Sequence, residues 1–202
     1  MPTAPVTAIS TYPWNAALAV VFGAAWVVGE AIGRRATYRQ GAERHPSSEL
    51  DRRSYPIIGL ALAAGLGVSV VTFLFGVGGY LPEWAAVVGV VLLLIGIPMR
   101  VWALTTLGRY FTMPITIRPD HVIVDRGPYR WIRHPAYTGG FLMAVGMALL
   151  LVTPVGLLVT FLGLLGAYVF RIHAEEAVLV SRFGDEYLQY RRRTWRLFPG
   201  VY

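Results

Sequence analysis

Five stretches of this chain, residues 14–32, 56–75, 85–104, 137–152 and 155–170, are almost free of charge. That pattern restricts the fold more than any other feature. A run of about 20 apolar residues spans a bilayer core of about 30 Å as a helix. Helices satisfy their backbone hydrogen bonds internally, so helix is the expected form in lipid. The first three stretches are long enough to cross. The last two are shorter, are separated by Thr153-Pro154, and are expected to form a short helical hairpin. The rest of the composition agrees: 55% of residues are hydrophobic and only 14% charged. A soluble domain of this size needs more charge on its surface. The expectation is an all-α integral membrane protein with five transmembrane helices.

The arginines give a direction to that bundle. All 18 cationic residues are arginine, and the net charge is +7. Six lie in segment 33–55, five in segment 105–136, and six after residue 170. Arg100 sits near the end of the third stretch, and the segments on the other side carry Glu83 as their only charge. The positive-inside rule therefore predicts five crossings, with the N-terminus outside and the C-terminus cytoplasmic. Residues before Trp14 carry no charge, unlike the basic start of a signal peptide, so the first span is expected to be retained. The arginines form no continuous stripe, which argues against nucleic acid as a partner. The absence of lysine beside abundant Ala, Gly and Val suggests a GC-rich genome and a bacterial plasma membrane. Rows of small residues (Gly59, Ala63 and Gly67; Gly140, Ala144 and Ala148) suit close helix packing in lipid. Pro98 is expected to kink the third span. The organisation expected is a three-helix region, 1–104, with a cytoplasmic loop at 33–55, and a catalytic region, 105–202, forming one compact unit with it.

The chemistry gathers on the arginine-rich side, in two polar segments flanking the hairpin. The first, 107–137, contains the β-branched runs ITI and VIV around Arg118-Pro119-Asp120-His121, which suggest a short extended excursion or hairpin. It ends in GPYRWIRHPAY, where Gly127-Pro128 marks a turn and His134-Pro135 opens the fourth span. Backbone N–H groups at that helix start could face a ligand carboxylate or hydroxyl. The second segment begins at Arg171 and carries Glu175 four residues on, with Glu176 beside it. Acidic groups at a lipid boundary need a positive partner. Arg171 could pair with Glu175, or hold an anionic substrate while Glu175 holds a cation. His173 and Glu176 share a helical spacing, but no further ligands converge, and no metal is expected. The absence of cysteine excludes disulfides, zinc thiolates and thiol catalysis. Tyr187, Tyr190 and Trp195 read as interface-belt aromatics, and Arg191-Arg192-Arg193 as a contact for lipid headgroups.

RHPAYTGG, followed after a hairpin by EEAVLVSRFGDEYLQYRRRTWRLFP, resembles the isoprenylcysteine carboxyl methyltransferase family of membrane enzymes, within a wider group that includes phospholipid methyltransferases. The resemblance covers roughly residues 110–199, and the paired signature is more specific than either half. It implies an S-adenosylmethionine pocket on the cytosolic side, closed by the C-terminal segment. By position, His121, Val122, Ile123 and Val124 would line the cofactor, largely through backbone. Tyr129, His134, Pro135, Ala136 and Tyr137 would do likewise. Glu175 would take its ammonium group, and Arg171 would face the acceptor as the catalytic and substrate-binding residue. Some members have a polar cofactor-touching residue where Pro114 stands here, and proline has neither side-chain nor N–H donor.

The implied activity is carboxyl O-methylation of an isoprenylcysteine or a similar lipophilic carboxylate. A carboxylate is already ionised at neutral pH, so such an enzyme needs positioning and water exclusion rather than a general base. Two other activities remain open on the residues alone. One is N-methylation of a phospholipid amine, in which Arg171 would not help. The other is an NADPH-dependent reductase of the sterol type, whose cofactor phosphate the arginines could hold. A non-catalytic membrane scaffold is the third class.

Overall fold

A computed structural model of the protein describes residues 11–39, 49–111 and 121–200. Among the described residues there are six α-helices: α1 Pro13–Arg39, α2 Glu49–Phe75, α3 Trp84–Leu107, α4 Pro135–Leu150, α5 Pro154–Phe183 and α6 Asp185–Arg192. Two 3₁₀ turns, Gly108–Tyr110 and Gly127–Arg130, lie between α3 and α4. Among the described residues the only extended pairing is one isolated parallel bridge, Ile132 to Trp195. His121 to Asp125, which include VIV, are neither helix nor strand. ITI and Pro114 lie outside the described residues.

Among the described residues, four helices are long and apolar enough to cross a membrane: α1, α2, α3 (continued by its 3₁₀ turn to Tyr110) and α5. Helix α4 has 16 residues and falls in the shorter apolar class. The shortness expected of the last two spans therefore applies to α4 alone. Helix α5 runs for 30 residues and carries Arg171, Glu175 and Glu176 on its final turns. The polar segment 33–55 is not a plain loop either. Helix α1 continues through it to Arg39 and α2 begins at Glu49, while 40–48 lie outside the described residues. Helix α3 continues through Pro98.

Helix α4 is short because it is enclosed. It packs chiefly on α3, also touches α1, α2 and α5, and is buried along nearly its whole length. The outer helices show the opposite pattern. Val20, Val27, Leu60, Val87, Leu94, Phe161 and Leu162 are exposed. Such an apolar outer face is covered by lipid in a helical membrane protein.

The α3–α4 contact depends on glycine. A Cβ on Gly89 would lie 2.6 Å from the Gly146 carbonyl oxygen, and one on Gly139 would lie 2.8 Å from the Arg100 backbone nitrogen. The small-residue rows read from sequence are therefore placed differently. Ala144 and Ala148 are fully buried, but a Cβ on Gly59 or Gly67 would meet nothing within 4 Å. On α2 the close approach is instead at Gly65, against Thr160 of α5.

Proline starts α4 and α5 at a position where its missing N–H costs nothing. Gly184, with φ +52°, ends α5 and lets the chain turn into α6. The last turns of α3, the first turn of α4 and the last turns of α5 consequently meet at one end of the bundle, the end that carries the arginines.

Candidate functional site

A cavity opens at that end. His121, Val122, Ile123, Val124, Tyr129, His134, Ala136, Tyr137, Arg171 and Glu175 all line it. Pro135 is buried and forms the first residue of α4, but does not line the cavity. Residues distant in sequence are thus brought together as the paired motifs suggest. The site also contains residues that the sequence did not assign to it, among them Tyr110, Leu179, Phe183, Tyr187 and Tyr190.

The centre of the cavity is a hydrogen-bonded chain. Arg171, 3% exposed on α5, donates from Nε to the Tyr137 hydroxyl at 3.3 Å. Tyr137 in turn donates to Glu175 Oε2 at 2.9 Å. The guanidinium and the carboxylate are therefore joined through a phenol that is one turn into α4. Tyr137 is held in place by rings on both sides, with Tyr168 at 5.0 Å and His134 at 5.7 Å between centroids. Glu175 is half-buried at the cavity wall, whereas Glu176, its neighbour, is buried and points elsewhere.

Glu176 is the knot that closes this end of the molecule. It accepts from Arg133 Nε at 3.0 Å and from Arg196 Nη2 at 2.9 Å, and lies 3.3 Å from His134 Nε2. The two adjacent glutamates thus divide their work: one faces the cavity, the other fastens the C-terminal segment. That segment runs beside residues 131–134. Trp195 N–H donates to the Trp131 carbonyl at 2.8 Å, Arg133 N–H to Trp195 at 2.7 Å, and His134 N–H to Arg196 at 3.2 Å. Arg133 also donates from its side chain to the Arg191 and Thr194 carbonyls. Thr138 Oγ1 donates to the Leu197 carbonyl at 2.8 Å, and Leu197 is buried in the α4–α5 core.

These bonds change one expectation. The start of α4 offers few donors to a ligand. His134 N–H is engaged by Arg196, the Tyr137 and Thr138 N–H groups bond the His134 carbonyl, and Pro135 has no N–H. The His134 ring is committed to Glu176. A second correction concerns the tyrosines. Tyr187 and Tyr190 are 2% and 5% exposed and line the cavity, so they are not belt residues, whereas Trp195 is exposed. Burial holds the phenols of Tyr129, Tyr187 and Tyr190 above the usual range, so all three remain protonated. Tyr190 donates to the Tyr129 carbonyl at 2.8 Å.

The remaining wall is flat and apolar. The His121 ring lies between Tyr110, at 4.8 Å, and Phe183, at 5.7 Å. Its ring, and not only its backbone, therefore belongs to the surface of the cavity. On the bundle side the wall includes Arg100, whose Nε bonds Glu30 Oε1 of α1 at 2.6 Å and whose Nη1 bonds the Ala136 carbonyl at 2.8 Å. This partly buried ion pair ties α1 and α3 to the first turn of α4. Glu30 sits inside the first apolar stretch, where its partner could not be read from sequence spacing.

A model of the isoprenylcysteine carboxyl methyltransferase (ICMT) family matches residues 88–181, which carry α3, α4, the RHPAY segment, Arg171 and the Glu175-Glu176 pair. The resemblance seen in those motifs is borne out by that match. Among similar proteins are the protein-S-isoprenylcysteine O-methyltransferases of Saccharomyces cerevisiae (36% identical, over 53% of this chain and 46% of the yeast protein) and Schizosaccharomyces pombe (39% identical, over 50% and 44%). That of Xenopus laevis is 33% identical over 54% of this chain and 39% of its own length. The chain thus matches about half the length of these relatives, or somewhat less. A solved structure of a eukaryotic intramembrane Ras methyltransferase, isoprenylcysteine carboxyl methyltransferase, superposes with a TM-score of 0.58 and 26% identity, over 73% of this chain and 52% of that one.

Proposed function

We propose that the chain is an integral-membrane methyltransferase that uses S-adenosylmethionine to methylate the carboxylate of a lipophilic acceptor, an isoprenylcysteine or a similar isoprenoid acid. The observation that carries this reading is the Arg171–Tyr137–Glu175 chain on the wall of an aromatic, apolar cavity. It offers one anionic and one cationic group, joined through one hydroxyl, against apolar and aromatic walls.

The residues present suit the cofactor. Glu175 offers a carboxylate for an ammonium group. Val122, Val124 and Leu179, with the rings of Tyr110, His121 and Phe183, offer flat apolar surface for an adenine. When bound, the cofactor supplies a methyl group made electrophilic by a sulfonium. The protein has then to hold an acceptor in line and dry. Arg171 does the holding: a buried guanidinium matches a carboxylate through two parallel hydrogen bonds and fixes its orientation. The acceptor is already ionised, and no side chain needs to remove a proton. The Glu176 knot and the Leu197 anchor fasten the C-terminal segment to the start of α4, and so hold in place the α6 tyrosines that line the cavity.

The same reading includes five crossings, with α4 as the fifth, protein-enclosed one, the N-terminus outside, and the cavity facing the cytoplasm. The supporting observation is that the cavity lies at the arginine-rich end. The acceptor's tail would reach it from the bilayer.

The test is transfer of a labelled methyl group from S-adenosylmethionine to two acceptors in lipid nanodiscs, a farnesylated cysteine and a phospholipid bearing a primary amine. The proposal expects label on the farnesylcysteine carboxyl. Arg171→Ala should raise the acceptor KM and lower kcat/KM by on the order of a hundredfold, as loss of one buried charge-assisted contact does. Label on the amine lipid, with Arg171→Ala without effect, would replace carboxyl with amine methylation.

A further inference from the structure

Tyr187 stands out in the cavity because its hydroxyl is buried and unbonded among the described residues. The residue is on α6, and its ring packs 5.9 Å from that of Tyr190 and lines the cavity. It is 2% exposed, and its hydroxyl has no hydrogen-bond partner among the described residues. A buried phenol hydroxyl left unbonded loses its water without compensation, which a folded protein rarely tolerates without a reason. Tyr190, beside it and equally buried, satisfies its own hydroxyl on the Tyr129 carbonyl. The contrast places the Tyr187 hydroxyl at a position reserved for something that arrives later.

The charged groups acting on this phenol are Glu176, Glu175 and Arg133. Glu175 is the group assigned above to an ammonium. Glu176 is compensated by two arginines and a histidine. Near the hydroxyl are thus the Glu175 carboxylate and a cluster in which the Arg133 and Arg196 guanidinium groups share one carboxylate, Glu176. An amino-acid zwitterion suits those two features, its ammonium taken by Glu175 and its carboxylate by Arg133, which also lines the cavity. The carboxylate has lost the donors first expected for it, because His134 and the start of α4 are engaged elsewhere. Burial keeps the phenol protonated, so it can only enter a bond to an anion as the donor.

We propose that the Tyr187 hydroxyl grips the amino-acid end of the cofactor by donating a hydrogen bond to its carboxylate. This rests on the reading of the cavity as an S-adenosylmethionine site and adds a residue to it. Tyr187 lies beyond the residues matched by the family model, which end at 181.

The experiment compares two ligands on two proteins in detergent by calorimetry: S-adenosylmethionine and its decarboxylated analogue, on wild type and Tyr187→Phe. The variant removes only the unbonded hydroxyl, so the ligand-free protein should melt at or above the wild-type temperature. Affinity for S-adenosylmethionine should fall on the order of tenfold or more, while affinity for the decarboxylated analogue stays within twofold. Equal losses for both ligands, no loss for either, or a clear drop in melting temperature of the ligand-free variant would each overturn the assignment. Wild type that binds neither ligand would overturn the cofactor reading itself, and with it this proposal. The wild-type arm alone decides that point.

Discussion

Glu176→Gln changes one buried charge and almost no volume, yet should loosen the whole C-terminal segment. In the native protein the carboxylate accepts from Arg133 and Arg196 and lies against the His134 ring. Its side chain and that of Arg133 are only 6% and 8% exposed, and that of Arg196 16%. The amide keeps one acceptor oxygen but turns a donor toward two guanidinium groups. Removing one partner of a buried charge cluster costs about 3–5 kcal/mol. Taking about 3 kcal/mol, because one acceptor survives, the opening equilibrium of the segment shifts by roughly a hundredfold. The amides that report on it are those bonded across the seam: Arg133, His134 and Trp195. Hydrogen exchange of the protein in nanodiscs, followed by mass spectrometry, should show them exchanging about a hundredfold faster, with peptides from the middle of α3 unchanged. Exchange at the seam within threefold of wild type would refute the idea that Glu176 holds the segment closed.

Tyr137→Phe removes the hydroxyl linking Arg171 to Glu175 but keeps the ring packed on Tyr168, so kcat/KM should fall by about tenfold while the melting temperature changes little. A fall below twofold in a methyl-transfer assay would show that the link is not used. Glu30→Gln strands the Arg100 guanidinium, and thermal unfolding should reveal a loss of about 3 kcal/mol or more. The double variant Glu30→Gln/Arg100→Met should recover most of it, because both partly buried charges are removed together.

The sequence carried much of this architecture, for reasons that also mark where it stopped. Length without charge identified α1, α2, α3 and the apolar part of α5, because a bilayer leaves only helix as an open choice. The arginine asymmetry separated the two ends, and the paired RHPAY and Glu-Glu motifs located the cavity. What was not legible depends on which helix touches which. The Glu30–Arg100 pair joins residues far apart in the chain, so neither periodicity nor spacing announces it. Gly59 and Gly67 have the spacing of a packing row but have nothing within 4 Å of an added Cβ, while Gly89, Gly139 and Gly146 allow α3 and α4 to approach closely. Tyr187 and Tyr190 lie on the short polar helix α6, which ends in arginines, and such rings normally sit at the interface. Only the fold shows the C-terminal segment turning them inward. The division between Glu175 and Glu176 is equally tertiary: adjacent carboxylates on α5 diverge, and the knot around Glu176 decides which one faces the cavity.

Calorimetry with S-adenosylhomocysteine and NADPH on wild type and Glu175→Gln tests the cofactor site most directly. A one-to-one heat with the nucleoside thioether, weakened at least tenfold by Glu175→Gln and absent with NADPH, is the outcome this account predicts. Binding of NADPH with none of the thioether would contradict it.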